Sequence, residues 1–150
     1  MQELSKSIIT IKKLMKTEVS YARLLLKVNG LPCSDIENES VKLFSIQQDN
    51  QNIGIIGFEQ YGNHGLLRSF VIEEQYRSKG LGAHVLSDFE KLASKQGVEE
   101  FYLLTTTADK FFARNGFEVF DRKAVPQLIA NTTEFDSICP ASAVCMRKIL

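Results

Sequence analysis

The sequence has little of the residues that mark several special classes of protein. It contains three prolines, and its apolar (44%) and charged (24%) fractions are near the globular average. This composition excludes disorder, collagen-like repeats and a disulfide-stapled miniprotein. The three cysteines, Cys33, Cys139 and Cys145, are odd in number and form no C-x-x-C pair. Such usage is typical of a reducing compartment, so we expect the protein in the cytoplasm.

Neither sign of charge is in excess, and no apolar run is long. Lys plus Arg (18) equals Asp plus Glu (18), so no net field concentrates nucleic acid or an anionic membrane surface around the protein. Runs such as residues 24–26 and 53–58 fall far short of the roughly 20 residues that cross a bilayer. The N-terminal M-Q-E-L-S-K-S lacks the pattern of a secretory signal. We therefore expect neither nucleic acid nor a membrane as a partner.

The chain is long enough to form one hydrophobic core, and its apolar residues recur at the spacings of helices and strands. Its 150 residues predict a single domain over residues 1–150. Apolar residues at helical spacing, Leu81, Val85, Phe89 and Leu92, predict an amphipathic helix that ends at Gly97. The predicted strands are residues 7–11, 41–46, 53–58, 66–72, 101–104, 117–120 and 143–149, and the predicted helices are residues 19–28, 81–96 and 108–115.

Residues 121–142, between the last two predicted strands, are less regular. One helix is expected to open at Pro126, and another to follow Thr132 or Thr133. An excursion of about 20 residues between strands is typical of a functional lid.

The strongest functional motif is the turn R-S-K-G-L-G between strand 66–72 and helix 81–96. Its residues are Arg77, Ser78, Lys79, Gly80, Leu81 and Gly82. A helix N-terminus offers unpaired N–H groups and about half a positive charge, and glycines let an anion approach the backbone. Arg77 and Lys79 would add charge-assisted hydrogen bonds. The alternative is a solvated basic helix start with a glycine N-cap.

The spacing of this turn distinguishes between known phosphate-binding motifs. A Rossmann fingerprint needs Gly or Ala where Val85 stands, and a P-loop needs G-K-[ST], whereas Lys79 precedes Gly80. R-x-x-G-x-G instead resembles the pyrophosphate-binding motif of the GCN5-related N-acetyltransferases (GNAT), which hold acetyl-coenzyme A (acetyl-CoA) there. The order of elements, and F-F-A-R-N-G-F at residues 111–117, extend this resemblance over nearly the whole chain.

A narrower resemblance covers the second half. The strings L-L-R-S-F (66–70), L-L-T-T-T-A-D-K-F-F-A-R-N-G-F (103–117) and E-F-D-S-I-C-P-A-S-A-V-C-M (134–146) are similar to the N-acetyltransferase subfamily associated with arsenic-resistance clusters. That resemblance implies a setting in which arsenic, or an amino-acid analogue containing it, is detoxified.

The GNAT resemblance implies an α/β (α+β) fold and a set of cofactor-binding residues. The fold has a mixed, mostly antiparallel sheet of about seven strands flanked by helices, with a V-shaped splay between two parallel strands that holds the pantetheine arm. The residues implied to bind acetyl-CoA, the cosubstrate, are Phe70, Val71, Ile72, Arg77, Ser78, Lys79, Gly80, Leu81, Gly82, Ala83, Thr105 and Phe112. No metal is implied, and Thr106 and Thr107 are expected to cap helix 108–115.

Phe112 stands where many members of the family carry a tyrosine that acts as general acid. Since Phe112 cannot donate a proton, we expect it to pack against the pantetheine sulfur or the core. A thiol of pKa about 8.5 leaves almost unaided at pH 7, so a general acid is helpful without being obligatory. Neutralising an α-amine costs about 1 to 1.5 kcal/mol at pH 7, against roughly 4 to 5 kcal/mol for a lysine-like amine. This difference favours an α-amino acid or an analogue as acceptor.

Arg68 and Glu59 are the candidate catalytic residues. Arg68 interrupts a run that reads as buried on both faces, and an unpaired buried guanidinium is costly. Its partner is either a substrate carboxylate or arsonate, held bidentately, or Glu59 on the neighbouring strand, or else the strand end lets the guanidinium reach water. Glu59 is either a base acting through a water or an exposed strand-end residue. His64 is interpreted as a turn residue, and the cysteines as ordinary small residues of core and loop.

Together these features favour an acetyl-CoA-dependent N-acetyltransferase that acts on a small amino-acid-like amine. Two alternatives stay open. Acetylation of a protein N-terminus or lysine would need an open, acidic peptide groove, and an acyl-CoA sensor would bind without catalysis. The expected partner is a small-molecule amine acceptor, and a homodimer is left open as the oligomeric state.

Overall fold

Seven strands form one mixed sheet in the computed structural model, which describes residues 8–77 and 80–150 without the side chains of residues 137 and 138. The strands are β1 (Ile9–Lys13), β2 (Lys42–Gln48), β3 (Gln51–Tyr61), β4 (His64–Ile72), β5 (Glu100–Thr105), β6 (Glu118–Val119) and β7 (Val144–Ile149). Their spatial order is β1-β2-β3-β4-β5-β7-β6. Strands β4 and β5 are parallel, and the other described neighbours are antiparallel. The mixed, mostly antiparallel sheet predicted from the sequence is confirmed.

Helices cover both faces of this sheet. They are α1 (Val19–Val28), α2 (Leu81–Lys95), α3 (Asp109–Arg114) and α4 (Gln127–Ala130). Because side chains alternate along a strand, Ile55 of β3 packs in the cluster under α1, whereas Ile56 packs in the cluster under α2 and α3. The lid segment, residues 121–142, lies on the α1 face and buries Val125, Ile129 and Phe135 against β4, β5 and β7.

The element boundaries differ from the predicted ones in a few places. Strand β1 begins at Ile9, and Ser7 of the predicted strand lies outside the described residues. Strand β6 has two residues rather than four. The helix predicted at Pro126 is present, and Pro126 precedes α4 as its N-cap residue instead of lying in its first turn. Helix α2 buries Val85, Leu86, Phe89 and Ala93 to 1% exposure or less, while Leu81 and Leu92 are only partly buried. Its buried stripe is therefore turned by about one residue from the predicted face.

A β-bulge in β4 places the residues that matter for the site. Val71 pairs with Ile55, but Arg68 pairs with Gly57, so two residues of β4 face one residue of β3. Within the bulge Ser69 has a φ of 58°, a left-handed conformation that is uncommon for a residue with a side chain. Leu66 and Val71 consequently both pack on the α1 face, although a regular strand would turn them to opposite faces.

Beyond the bulge, β4 and β5 separate. They pair only over three residues, His64 to Leu66 with Glu100 to Tyr102. Farther along, β4 stays paired with β3 as far as Ile72, and β5 stays paired with β7 as far as Thr105. A gap between two parallel strands results, as the splay in the sequence-based prediction requires.

None of the described helices combines the length and the apolar character that crossing a bilayer requires.

Candidate active site

Two cavities open into the gap between β4 and β5. The α2-side cavity, of about 450 Å³, lies between β4, the N-terminus of α2 and α3. The lid-side cavity, of about 440 Å³, lies between β4, the end of β5, the loop after α1 and the lid segment. The residues that line both are Phe70, Ile72, Arg77, Ala108 and Phe112. The two cavities therefore meet at a common wall.

The α2-side cavity contains the glycine turn. Gly80 precedes α2 with a φ of 78°, and a Cβ placed on it would meet no atom within 4 Å. A Cβ on Gly82 would come within 3.2 Å of Phe111 Cε1, so glycine allows α2 and α3 to approach. The amides of the first turn of α2 have no acceptor within the helix, and the helix dipole adds positive charge there. This arrangement fits a diphosphate or a similar anion.

Arg77 connects the glycine turn to two other elements. Its Nε donates to the Ile72 carbonyl oxygen at 2.5 Å, and its Nη2 donates to Asn29 Oδ1 at 2.7 Å. The positive charge is thereby fixed beside both cavities. Ser78 and Lys79, which the sequence also predicts as cofactor contacts, lie outside the described residues.

Most of the predicted cofactor residues line the α2-side cavity: Phe70, Ile72, Arg77, Gly80, Leu81, Gly82, Ala83 and Phe112. Val71 does not, and it lines the lid-side cavity instead. The Glu73 N–H donates to the Ile53 carbonyl oxygen at 2.7 Å. Alternation along the strand then turns the backbone groups of Val71 toward β3, and those of Ile72 and Phe70 toward the gap.

The threonines at the end of β5, Thr105 to Thr107, do not have the capping roles that the sequence predicts. Thr105 Oγ1 accepts a hydrogen bond from the Ala108 N–H at 3.0 Å, and Ala108 is the N-cap residue of α3, which has no side-chain cap. The prediction that Thr106 and Thr107 are the caps was wrong, because the N-cap residue is Ala108 and both threonines are exposed on the rim of the lid-side cavity. Thr105 lines the same cavity, and its cofactor contact stays a prediction.

Aromatic rings form the wall that the cavities share. Phe112 is 7% exposed, and its ring centroid lies 6.5 Å from that of Phe70 and 5.4 Å from that of Phe117. Phe111 is within 6.1 Å of Phe70. Phe112 thus packs into the core with one side open to both cavities, which agrees with a packing role.

Four ionisable side chains form a buried charge cluster under the lid-side cavity: Asp35, Glu59, Arg68 and Glu134. The Arg68 side chain has no exposed surface. Its Nη1 donates to Asp35 Oδ2 at 2.6 Å and to Glu59 Oε2 at 2.8 Å. Its Nη2 donates to Asp35 Oδ1 at 2.5 Å, and its Nε lies 3.1 Å from Glu134 Oε2. The ion pair between Arg68 and Glu59, one of the predicted alternatives, is present, and Asp35 of the chain itself is the carboxylate held bidentately.

Glu134 is the acidic member of the charge cluster that lines the lid-side cavity. Its side chain is 5% exposed, and burial, only partly offset by Arg68, raises its pKa to about 7. Cys139, also on the cavity wall, donates from its thiol to Glu134 Oε1 at 3.6 Å. Burial, together with the negative charge of Glu134, raises the pKa of that thiol to about 12.

Glu59 is not the exposed strand-end residue that was one predicted outcome. It lies within β3 at 3% exposure, it accepts hydrogen bonds from Arg68 and from the Tyr61 hydroxyl, and it does not line the lid-side cavity. Burial raises the pKa of Tyr61 to about 12. His64, predicted as a turn residue, begins β4 and pairs with Glu100 at 2.6 Å.

The family is shown by a sequence comparison. A model of the acetyltransferase (GNAT) domain matches residues 39–119, which is more than half of the chain. The chain belongs to the GNAT acetyltransferase domain family. An uncharacterized N-acetyltransferase from Chlorobaculum tepidum is 30% identical over 79 residues, which cover 53% of this chain and 48% of that protein. The chain thus matches about half the length of that relative.

Solved structures of other proteins share the GNAT fold. An N-acetylglutamate synthase from Neisseria gonorrhoeae, complexed with coenzyme A and N-acetyl-glutamate, superposes with a TM-score of 0.79 at 15% identity and covers 97% of this chain and 36% of its own. A GNAT-family acetyltransferase from Staphylococcus aureus gives 0.72 at 17% identity, over 95% of this chain and 99% of its own. At such identities the likeness establishes the fold of the GNAT domain.

Sequence reasoning missed two members of the charge cluster, Asp35 and Glu134. Asp35 lies in a loop and Glu134 begins a short helical turn of the lid segment, and an exposed side chain is the usual outcome for an acidic residue in such connecting segments. The available signal was Arg68 itself: a guanidinium inside a buried strand of a GNAT domain needs more than one acceptor to satisfy its five N–H groups.

Proposed function

We propose that this GNAT domain transfers acetyl from acetyl-CoA to the amine of a small amino-acid-like acceptor by direct attack, with no covalent enzyme intermediate. The observation that carries the proposal is the common wall of the two cavities. The α2-side cavity has a helix start suited to an anion. The lid-side cavity contains an ionisable side chain, and the gap between β4 and β5 joins the two cavities.

The residues present fit acetyl-CoA. The diphosphate would lie on the amides at the start of α2, where Gly80 leaves open space and Arg77 provides charge. The pantetheine amides would bond to the backbone of Phe70 and neighbouring groups that β4 turns toward the gap. When bound, the cosubstrate supplies a thioester whose carbonyl carbon accepts the amine. The Phe70 and Phe112 rings would shield that carbonyl from water.

The lid-side cavity supports a small acceptor rather than a protein chain. It is bounded by the lid segment, within which Arg122 donates hydrogen bonds to the Pro140 and Phe135 carbonyl oxygens at 2.9 and 2.8 Å. A volume of about 440 Å³ is within the range of small-molecule sites. The acceptor class would include α-amino acids and, following the narrower resemblance to the arsenic-resistance subfamily, amino-acid analogues that contain arsenic. We infer further that the protein acts in the cytoplasm as one domain over residues 1–150.

A thiol-release assay tests this function. The full chain is incubated with acetyl-CoA and a panel of amines: free amino acids, an arsenic-containing amino-acid analogue, short peptides and lysine-bearing peptides. We expect release that depends on a free amino acid or its analogue, with mass spectrometry detecting the acetylated amine. Release with peptides alone would contradict the acceptor class. Tight binding of acetyl-CoA without turnover with any amine would contradict catalysis and favour a sensor.

A further inference from the structure

The charge cluster has an uneven distribution of partners. Three carboxylates surround one guanidinium, so at least one of them lacks a full counter-charge. Asp35 receives two short hydrogen bonds from Arg68, at 2.5 and 2.6 Å. Glu59 receives one from Arg68 at 2.8 Å and a second from Tyr61. Glu134 has the longest contact with Arg68, 3.1 Å, and shares that Nε with Ser69 Oγ, which accepts from it at 3.1 Å.

Glu134 is also the carboxylate with access to a ligand. Among the described residues that line the lid-side cavity, the charged side chains are Arg68, Arg77 and Glu134. Arg68 forms hydrogen bonds and ion pairs with the other members of the charge cluster, and Arg77 donates hydrogen bonds to Ile72 and Asn29. A cation entering this cavity would therefore meet Glu134. The carboxyl group has a pKa of about 7, the value at which a carboxylate both accepts a proton and releases it again near neutrality.

We propose that Glu134, carried by the lid segment, is the general base that takes a proton from the acceptor ammonium, and that Arg68, Asp35 and Glu59 are positioning residues that hold it. This inference rests on the proposed N-acetyltransferase function. The Glu134 carboxylate removes one proton from the ammonium, and the neutral amine forms the C–N bond at the thioester carbonyl carbon. The C–S bond then breaks, the sulfur leaves with the electron pair and takes up the second proton from nitrogen, and Glu134 returns its proton to water.

Arg68 then has the role of holding Glu134 and not that of binding a substrate carboxylate. Four of its five N–H groups face Asp35, Glu59, Glu134 and Ser69, so it does not present the free fork that a substrate carboxylate would need. Selection in this cavity is for the ammonium group of the acceptor. Other ionisable groups near Glu134 are the Cys139 thiol, which stays protonated, and Arg122 of the lid segment, whose Nη atoms bond to backbone carbonyls.

The test compares Glu134→Gln with Asp136→Asn, an exposed carboxylate in the same helical turn Glu134–Ile138. Values of kcat/KM for thiol release are measured from pH 5 to 10 with two acceptors whose amines differ in pKa. We expect wild type and Asp136→Asn to give a bell-shaped pH profile of kcat/KM. Its lower limb should lie near pH 7 for both acceptors, and its upper limb should shift with the pKa of the acceptor amine. Glu134→Gln should lose roughly 100-fold at pH 7.5, and its rate should rise tenfold per pH unit up to the pKa of the amine.

Two further variants test the positioning role. Arg68→Lys weakens the compensation of Glu134 and should move the lower limb to higher pH. Asp35→Asn removes a negative charge beside Glu134 and should move the same limb to lower pH. Opposite shifts of the lower limb in the two variants support the proposal. A purely structural defect would lower kcat/KM without shifting the pH of that limb in opposite directions. Folding is checked by circular dichroism, and if Arg68→Lys does not fold, Asp35→Asn alone decides the direction.

The outcomes separate this inference from the function on which it rests. If wild type releases no thiol with any amine, the proposed function fails. If wild type turns over but Glu134→Gln keeps its rate and its lower limb, the function stands and Glu134 is not the base. Calorimetry with coenzyme A should give the same Kd for Glu134→Gln and wild type. A weaker Kd would overturn the assignment of Glu134 to the acceptor side.

Discussion

The α2-side and lid-side cavities share a wall, but different kinds of chemical group line them. The α2-side cavity is lined by the start of α2, glycines and aromatic rings, and its positive charge comes from the helix end, Arg77 and Arg114. The lid-side cavity lies over four ionisable side chains, in which one guanidinium is shared by three carboxyl groups. A backbone site is sensitive to added atoms and insensitive to lost side-chain groups, while a buried charge cluster is sensitive to any unpaired charge. Substitutions in the two cavities should therefore differ in the size and kind of their effects.

The largest effect is expected from removing the cation of the charge cluster. Arg68→Met keeps most of the side-chain volume but leaves Asp35, Glu59 and Glu134 without their common partner. Breaking a buried ion pair by removing one partner costs about 3 to 5 kcal/mol. We expect the free energy of unfolding, measured in urea, to fall by that amount.

The matched control is Arg23→Met, which makes the same chemical change at a surface ion pair. Arg23 and Glu37 lie 2.5 Å apart with side chains 39% and 70% exposed, and such pairs contribute about 1 kcal/mol at most. Equal losses for the two variants would show that the cluster is no more stabilising than a surface pair, and the contrast between the cavities would not hold.

Glu134 should also make the stability of the protein depend on pH. The native state raises the pKa of Glu134 from 4.5 to about 7, so between those values the folded protein binds the proton more tightly than the unfolded chain does. Wild type is therefore destabilised as pH rises through this window, and Glu134→Gln is not. The variant-minus-wild-type difference in free energy of unfolding should grow from pH 4.5 to 8 and reach about 3 kcal/mol at most. A constant difference between pH 4.5 and 8 would mean that the Glu134 pKa is ordinary in the folded protein.

The two cavities also differ in how far the sequence predicts them. R-S-K-G-L-G is one contiguous string, and the chemistry of a helix start is local, so the α2-side residues could be named in advance. The charge cluster is assembled from a loop, two strands and the lid segment. The pair of Arg68 with Glu59 was foreseeable because β3 and β4 form a hairpin. Asp35 and Glu134 were not, because their burial depends on how irregular segments fold over the sheet.

The β4 bulge shows the same limit in the fold. The strand order and nearly all helices and strands follow from apolar periodicity and from the resemblance to the GNAT family. The left-handed conformation of Ser69 has no such signal, since glycine or asparagine is the usual residue there. The bulge nevertheless decides that Arg68 and Val71 share a face of the sheet, and thus where the lid-side cavity lies.

A smaller effect is expected at the glycine turn. Gly80→Ala places a methyl group in the open space before α2 and strains a backbone with a φ of 78°. We expect the Kd for coenzyme A to rise about tenfold, by exclusion of the diphosphate from the amides, with kcat at saturating acetyl-CoA little changed. Gly62→Ala is the control, since Gly62 has a φ of 65° and equally open surroundings in the turn between β3 and β4. It shares the strain but lies outside both cavities, so its Kd should equal that of wild type. Equal weakening in both variants would attribute the effect to strain and remove the evidence for a diphosphate site.

The smallest effect is expected at the wall between the cavities. Phe112→Tyr adds a hydroxyl to a ring that lines both cavities and restores the group that many GNAT members use as general acid. Because a thiol of pKa about 8.5 leaves almost unaided near pH 7, we expect kcat to change by less than about threefold between pH 6 and 9. Phe117→Tyr is the control for the cost of a hydroxyl in the same aromatic cluster, since Phe117 is 3% exposed and touches Phe112 but lines neither cavity. A tenfold gain in kcat for Phe112→Tyr alone would mean that departure of the thiolate limits turnover. The chemistry would then depend on the shared wall more than on the base in the lid-side cavity.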